Sequence, residues 1–200
     1  MGRAYPLLFL LLAASGGCAA CPIESQVRVL APDFHSPEEA GHCFLAAVAC
    51  DEAQAEYRCL GEALKERYGA TMDLYLLARP QMREEIGPLA RYADRLQPSR
   101  RVEREDGVLV WWQAAGAERM GMLFRAQAYF DVWLRDGRRK GTTVQLPLTD
   151  HLSIDRRRLK LELEDSVLRG IDAADIDRVD FGLEWKIADF LLPEQESPRS

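Results

Sequence analysis

Histidine is scarce in this 200-residue sequence, which contains only His35, His42 and His151. No cysteine pair has the spacing of a zinc site, so the usual nitrogen and sulfur ligands for a metal are not indicated. The acidic stretch IDAADIDRVD would need a glycine at Asp180 and a ligating glutamate at Lys186 to be an EF-hand, which excludes a calcium loop of that kind. We therefore expect no metal and no cofactor.

The sequence also lacks the short motifs that bind nucleotides or build a serine nucleophile. It has no glycine-rich phosphate loop, no dinucleotide fingerprint, no GxSxG elbow and no internal repeat. Its 26 lysines and arginines are outnumbered by 32 aspartates and glutamates, which gives a net charge of −6. Because nucleic-acid binding needs clustered cations to neutralise phosphates, and the basic clusters at 135–140 and 156–158 fall in predicted turns, we expect no nucleic-acid partner.

One strongly apolar run lies near the N-terminus, from Tyr5 to Ala14, and contains six consecutive apolar residues. It is too short for a transmembrane helix, which needs ~20 residues. Arg3 precedes the run, and the small residues at 14–17 follow it and lead to Cys18. This order of charge, apolar core and small residues predicts a secretory signal peptide.

The small residues directly before Cys18 resemble the lipobox of bacterial lipoproteins, in which the cysteine thiol receives a diacylglycerol and the signal peptidase cuts just before it. Cys18 fits better than Cys21, which would have Cys18 itself at a position that is usually aliphatic or small. Ser15 departs from the family, which most often has leucine there. The resemblance implies a signal peptide at 1–17, a membrane anchor at Cys18 and a place in the bacterial cell envelope, at the inner or the outer membrane. The alternative is a secreted protein cut near residues 13–17.

Four further cysteines would then lie in an oxidising compartment. Cys43 and Cys50 fall on one predicted helix about 10 Å apart, which is too far for a disulfide. Cys43 and Cys59 lie at equal distances on either side of Asp51, the predicted turn of a helical hairpin, so that antiparallel helices would bring them level. They are either a disulfide or two free thiols in the core, and both interpretations stay open.

The folded region is predicted to begin at Ser36. Residues 18–35 contain two prolines and little periodicity, which predicts a flexible tether. The motif SPEE then predicts a helix that Ser36 caps, with Pro37 at its first position. A second helix is expected from Asp51 and a third from Thr71, interrupted near Pro80 and Gly87–Pro88.

From about residue 100 the apolar pattern changes to a period of two, which indicates strands. Asp-Gly pairs at 106–107 and 136–137 predict hairpin turns. The predicted strands lie near 101–105, 108–113, 122–135, 141–148, 159–164 and 180–190. Helices followed by an antiparallel sheet indicate a single α+β domain over 36–192, with a frayed tail at 193–200.

Two motifs, SPEEAGHCFLAAVACDEAQAEYRCLGEALKERYG and EWKIADFL, resemble the nuclear transport factor-like superfamily. The resemblance covers roughly residues 36–192 and implies a helix pair, a further helix and a strongly curved sheet that wraps them into a cone-shaped roll. The segment 149–179 is longer and less regular than the family requires. These motifs specify a fold and not an activity.

Some members of that superfamily are enzymes of the ketosteroid isomerase and dehydratase kind, with an aspartate or histidine inside the cone. Here the inward faces of the predicted strands carry no acid or histidine, because Asp131 and Glu184 alternate onto the opposite face. His42, one residue off the core stripe of its helix, is the remaining candidate base, and a boundary position explains it as well. We expect no catalytic residue, with an envelope enzyme that uses the cone pocket as the alternative.

Aromatic side chains form the other unusual pattern. Alternation along VLVWW sends Trp111 and Trp112 to opposite faces of the sheet, so that Trp111 can join Tyr129 and Trp133 in an outer patch. Such a patch suits a homodimer or an envelope partner, and cover by residues 149–179 is the alternative. Our leading hypothesis is a non-catalytic domain that binds a partner or a small apolar ligand, with a structural role in an envelope assembly as a further alternative.

Overall fold

A computed structural model of the chain describes residues 21–146 and 156–193. Within these ranges six α-helices precede an antiparallel sheet of five strands, and a seventh α-helix lies between the fourth and fifth strands. The fold is therefore α+β with an open sheet. The predicted signal peptide, Cys18 and the tail beyond Pro193 lie outside the described residues.

The first six helices are α1 (Ile23–Leu30), α2 (Pro37–Ala49), α3 (Ala53–Cys59), α4 (Glu62–Tyr68), α5 (Met72–Glu85) and α6 (Gly87–Tyr92). Two of the predicted helix starts are confirmed, and each has a side-chain cap. The Ser36 hydroxyl accepts a 3.1 Å hydrogen bond from the Glu39 backbone N–H, and Thr71 accepts one from Leu74 at 3.4 Å. Both caps occupy otherwise unpaired N–H groups at the start of a helix.

Asp51 does not begin a helix as expected. Its φ is +60°, in the left-handed region, and α3 begins only at Ala53. Leu60 and Gly61 then interrupt the predicted second helix and divide it into α3 and α4. Pro80, by contrast, lies inside an uninterrupted α5.

The segment expected to be a flexible tether contains α1. A disulfide joins Cys21, just before α1, to Cys50 at the end of α2. Arg28 donates a 2.7 Å hydrogen bond to Glu39 in α2. The described part of this segment is therefore fixed to the helical layer by a covalent bond and an ion pair.

The strands are β1 (Gln97–Arg104), β2 (Gly107–Ala114), β3 (Ala117–Leu134), β4 (Arg139–Gln145) and β5 (Ile176–Leu191). β3 is the central strand along its whole length. Its first half pairs with β2 and its second half with β4, whereas β5 pairs with both halves. Because Met122 pairs with Val110 and Phe190, and a strand has only two edges, β2 and β4 share one edge of β3 and β5 occupies the other.

The predicted strand at 159–164 is wrong, because these residues belong to helix α7 (Arg156–Leu168). The alternating letters LKLELE suggest a strand, but Leu163 and Val167 are one helical turn apart and pack together under the helix. Arg158 also pairs with Glu162 at 3.0 Å in the i,i+4 relationship of a helix surface. Burial against the sheet decides the conformation here.

The described residues form three apolar interiors. The largest lies between helices α2–α6 and one face of the sheet, where β2 contributes Val110 and Trp112. A second lies between α7 and the end of β3 around Phe130. A third, around Leu109 and Trp111, lies on the other face of β2. None of the helices within 21–146 and 156–193 has the length and apolar character needed to cross a bilayer.

Candidate binding site at the edge of strand β5

A cleft of about 440 Å³ lies beside β5, between this strand and the loop that joins α1 to α2. We call it the β5 cleft. The loop, β3 and β5 all contribute to its wall, which is formed by Pro32, Phe34, His35, Tyr129, Phe181, Gly182, Leu183 and Glu184.

One edge of β5 pairs with β3. The opposite edge is covered in part by other segments of the chain. The Trp185 backbone N–H donates to the Phe34 carbonyl at 2.8 Å, and the Ile187 carbonyl accepts from the Gly61 N–H at 2.7 Å. Backbone groups that face one side of a strand recur at every second residue. Those of Leu183, Phe181 and Val179 therefore face the same side as Trp185.

These three residues have no backbone partner on that side among the described parts of the chain. Among the described residues, the edge of β5 is thus covered at Trp185 and Ile187 and open from Val179 to Leu183. The open stretch borders the β5 cleft, to which Phe181 and Leu183 contribute. An extended backbone that entered the cleft would meet the donors and acceptors of a strand edge.

Lys186 contacts two residues of the cleft wall, Phe34 and Glu184. Its ammonium group donates to the Arg58 carbonyl at 3.0 Å and to the Glu184 carboxylate at 2.6 Å, and it lies 3.6 Å from the centre of the Phe34 ring. Burial lowers the pKa of Lys186, and the neighbouring Glu184 opposes that effect. The ammonium holds Phe34 by a cation–π contact and orients Glu184.

Tyr129 forms part of the cleft wall because its cross-strand neighbour is a glycine. Gly182 pairs with Tyr129, and a Cβ atom at position 182 would lie 2.7 Å from the Tyr129 hydroxyl oxygen. Burial, Glu184 and Asp180 raise the pKa of Tyr129. The phenol therefore stays protonated at neutral pH and can both donate and accept a hydrogen bond.

At the cleft entrance, His35 is held by Asp33. The His35 Nδ1 atom lies 2.6 Å from the Asp33 carboxylate, which also accepts the His35 backbone N–H at 2.8 Å. The backbone hydrogen bond from His35 lowers the pKa of Asp33. The cleft thus combines aromatic and apolar walls with a phenol and an ion pair beside an open strand edge, which is the chemistry of peptide recognition by strand addition.

The three aromatic residues predicted to form one surface patch do not do so. Trp111 and Trp112 are both fully buried, so the expectation that one of them stays outside the core is wrong. Trp111 packs with Leu109 and Leu123, and the Arg100 guanidinium lies 5.2 Å from its ring. Gly121 opposite Trp111 leaves room for the indole.

Trp133 is half-buried between two arginines. Arg178 and Arg139 lie 5.1 and 5.8 Å from its ring centre, and its indole N–H donates to Asp180 at 2.9 Å. This side chain is engaged with charged neighbours on the sheet face. Of the predicted interface residues, only Tyr129 lines the β5 cleft.

Cys43 and Cys59 are free, buried thiols, so the disulfide between them that the sequence left open is not formed. Burial raises the pKa of both thiols. Each donates to a backbone carbonyl, Cys43 to Asp33 at 3.4 Å and Cys59 to Ala55 at 3.2 Å. The pairing of Cys21 with Cys50 could not be expected, because Cys21 was placed in a flexible segment.

His42 lies apart from the β5 cleft. Its ring meets Trp112 edge to face at 5.0 Å, and it lines a smaller cleft of about 190 Å³ near Asp94. Burial lowers the pKa of His42, which favours the neutral imidazole. The histidine has no hydrogen-bond partner within the described ranges, and the structure assigns it a packing role against Trp112.

The sequence interpretation missed a buried carboxylate in the helical layer. Glu56 in α3 is fully buried and accepts hydrogen bonds from Tyr75, Arg79 and Arg83, which are spaced four residues apart along α5. Donors that recur every four residues lie on one face of the predicted helix, and this pattern could have indicated a shared acidic partner. Burial raises the pKa of Glu56, but the hydrogen bonds from Arg79, Arg83 and Tyr75 outweigh it and give a net decrease.

No protein-family profile matches the chain, and neither the curated proteins nor the solved structures include a significant match. Across residues 21–146 and 156–193, no group of three or more histidine, cysteine or acidic side chains is arranged to hold a metal ion. The β5 cleft is therefore the feature of the molecule from which a function can be inferred.

Proposed function

We propose that the protein is a bacterial cell-envelope lipoprotein whose domain binds an extended peptide segment of a partner protein at the β5 cleft. The observation that carries this proposal is the edge of β5 from Val179 to Leu183, which no described segment of the chain covers and which lies directly beside a cleft with apolar walls. A bound segment would continue the backbone ladder that Phe34 and Gly61 already form with Trp185 and Ile187.

The lipid anchor is supported by the sequence before Cys18 and by the disulfide. A bond between Cys21 and Cys50 fits an exported protein, because the cytosol keeps thiols reduced. The short distance in sequence from Cys18 to the folded domain suits a domain held at a membrane. We propose lipidation at Cys18 on these grounds.

The resemblance to the nuclear transport factor-like superfamily is consistent with a binding role. We propose that the sheet curves around α2–α6 as it does in that superfamily, since these helices share one apolar core with β2, β3 and β5. A partner segment at the β5 cleft would then bind at the rim of the sheet and leave the helix-backed core undisturbed.

Specificity for a peptide would come from alternate side chains. In an added strand, every second side chain points to the same side. One set would meet Phe181 and Leu183, and the other set would meet Tyr129 and Glu184. Because Lys186 already pairs with Glu184, we expect apolar and neutral polar residues to be preferred over basic ones.

The test uses the purified full chain and a displayed library of random decapeptides. We expect enriched peptides to slow amide hydrogen exchange at Val179, Phe181 and Leu183. Val179→Pro removes an outward N–H from an exposed edge position and should weaken binding at least tenfold, whereas Val179→Ala keeps the N–H and should change it less than threefold. Failure to enrich any peptide, or equal binding by both variants, would refute the cleft assignment.

Lipidation is tested separately. Radiolabelled palmitate should be incorporated into the wild-type protein in a bacterial host and lost in Cys18→Ala, while Cys21→Ala retains the label. Undiminished labelling of Cys18→Ala would contradict the anchor and leave the peptide assignment to its own experiment.

A further inference from the structure

Helix α1 carries an apolar stripe on its exposed side. Ile23, Val27 and Leu30 are 81%, 59% and 84% exposed. Their spacing of four and three residues places them on one face of the helix. A row of exposed aliphatic side chains on one face of a helix is typical of a surface that contacts another protein or a membrane.

The stripe is held in a fixed orientation. The disulfide between Cys21 and Cys50 fixes the start of α1, and the Arg28–Glu39 ion pair at 2.7 Å joins its middle to α2. Val29, on the side opposite Ile23 and Val27, is only half-exposed. The exposed stripe is therefore displayed by a docked helix.

We propose that α1 is a membrane-contact helix that inserts the stripe into the headgroup region of a phospholipid bilayer. This inference rests on the proposed anchor at Cys18. Ile23 is five positions after Cys18, and a fully extended chain over five positions spans at most about 17 Å. A lipid on Cys18 would thus keep α1 within reach of the bilayer surface, which identifies phospholipid as the occupant.

The stripe would also add to the anchor. A single acyl chain gives only marginal membrane binding, whereas the diacylglycerol expected on Cys18 carries two chains, so the main effect of the stripe would be on orientation. Glu24 and Arg28 lie on the same helix and carry opposite charges, so the helix has no marked preference for anionic lipids. The contact would orient the whole domain, because α1 is fixed to α2.

The experiment places a photoreactive benzoylphenylalanine at Val27 of the full-length protein, reconstituted in vesicles of phosphatidylethanolamine and phosphatidylglycerol. The matched control carries the same residue at Leu77, which is 79% exposed on α5. Far-ultraviolet circular dichroism verifies that both variants fold. After illumination, we expect the yield of phospholipid adducts to be at least fivefold higher at position 27 than at position 77.

Equal adduct yields at the two positions, no phospholipid adduct at position 27, or adducts to a second copy of the chain would each overturn the proposal. Palmitate labelling of Cys18 in the same preparation separates the two hypotheses. If Cys18 carries no lipid, adducts at position 27 still support the stripe contact and their absence still overturns it.

Discussion

Arg79 and Glu56 form a two-pronged ion pair across the interface between α5 and α3. The Arg79 Nε atom lies 2.8 Å from Glu56 Oε2, and its Nη2 atom lies 2.7 Å from Oε1. Arg83 adds a 2.6 Å hydrogen bond to the same carboxylate, and Tyr75 adds one at 2.8 Å. A carboxylate this far from water is tolerated because all these donors are directed at it.

Removal of the Glu56 side chain should destabilise the fold strongly. Glu56→Ala removes the buried acceptor that Arg79, Arg83 and Tyr75 share, and we expect the free energy of unfolding to fall by about 3 kcal/mol. Urea denaturation followed by tryptophan fluorescence measures this change. Asp51→Asn is the matched control, because Asp51 contacts the same arginines from an exposed position and should contribute less than about 1 kcal/mol. Comparable losses in both variants would show that the buried ion pair is unimportant.

The same carboxylate should make stability depend on pH under acid conditions. The pKa of Glu56 is lowered in the folded state, whereas the pKa of a glutamate in the unfolded chain is about 4.3. Its contribution to the free energy of unfolding is therefore fully present above that pH. This contribution is lost as the pH falls through the lower pKa of the folded state. Urea midpoints measured between pH 7 and pH 3 should show the wild type approaching Glu56→Gln at the acid end. A constant difference between the two proteins over this range would contradict the assignment.

Gly41 in α2 should not tolerate a methyl group. A Cβ atom at this position would collide with the Trp112 ring and lie 3.1 Å from Phe124. Although alanine favours helices more than glycine does, the overpacking should dominate, and we expect Gly41→Ala to lose about 1–3 kcal/mol. The control is Gly87→Ala, where no atom lies within 4 Å of the added Cβ. Thermal denaturation should separate the two variants, and a stabilised Gly41→Ala would indicate looser packing around Trp112.

Loss of the Cys21–Cys50 disulfide should release α1. The two cysteines are 29 residues apart, and closing a loop of that size stabilises a fold by about 3–4 kcal/mol in the chain-entropy description. Cys50→Ser should therefore lower the free energy of unfolding and expose residues 21–35 to limited proteolysis. Dithiothreitol should destabilise the wild type and leave Cys50→Ser unchanged. Equal sensitivity of the two proteins to dithiothreitol would argue against this pairing.

Local signals in the sequence predicted the parts of the fold that depend on local chemistry. Ser36 and Thr71 cap helices because their hydroxyls meet the third N–H that follows, and this needs no distant partner. The Asp-Gly pair at 136–137 lies at a hairpin turn, where Gly137 has a φ of +83°. The turn predicted at 106–107 is displaced by one residue, because Gly107 already pairs with Arg104 as the first residue of β2.

The features that the sequence did not predict depend on distant partners. Leu163 is helical because it packs with Val167 against the end of β3, and alternation alone could not show that. The β5 cleft brings Phe34 next to Glu184, residues separated by most of the domain. Tyr129 was identified as a candidate, but its neighbours in space are Gly182 and Phe34 and not Trp111.

The length of β3 has a mechanical consequence. Its first half belongs to the interior under helices α2–α6 and its second half to the separate interior under α7, so a single strand spans two interiors with no side chain in common. Fluctuations that move α7 away from Phe130 can therefore occur while the interior under helices α2–α6 stays packed. We therefore expect motion of α7 to affect the interior around Phe130 more than the helical layer that holds Glu56.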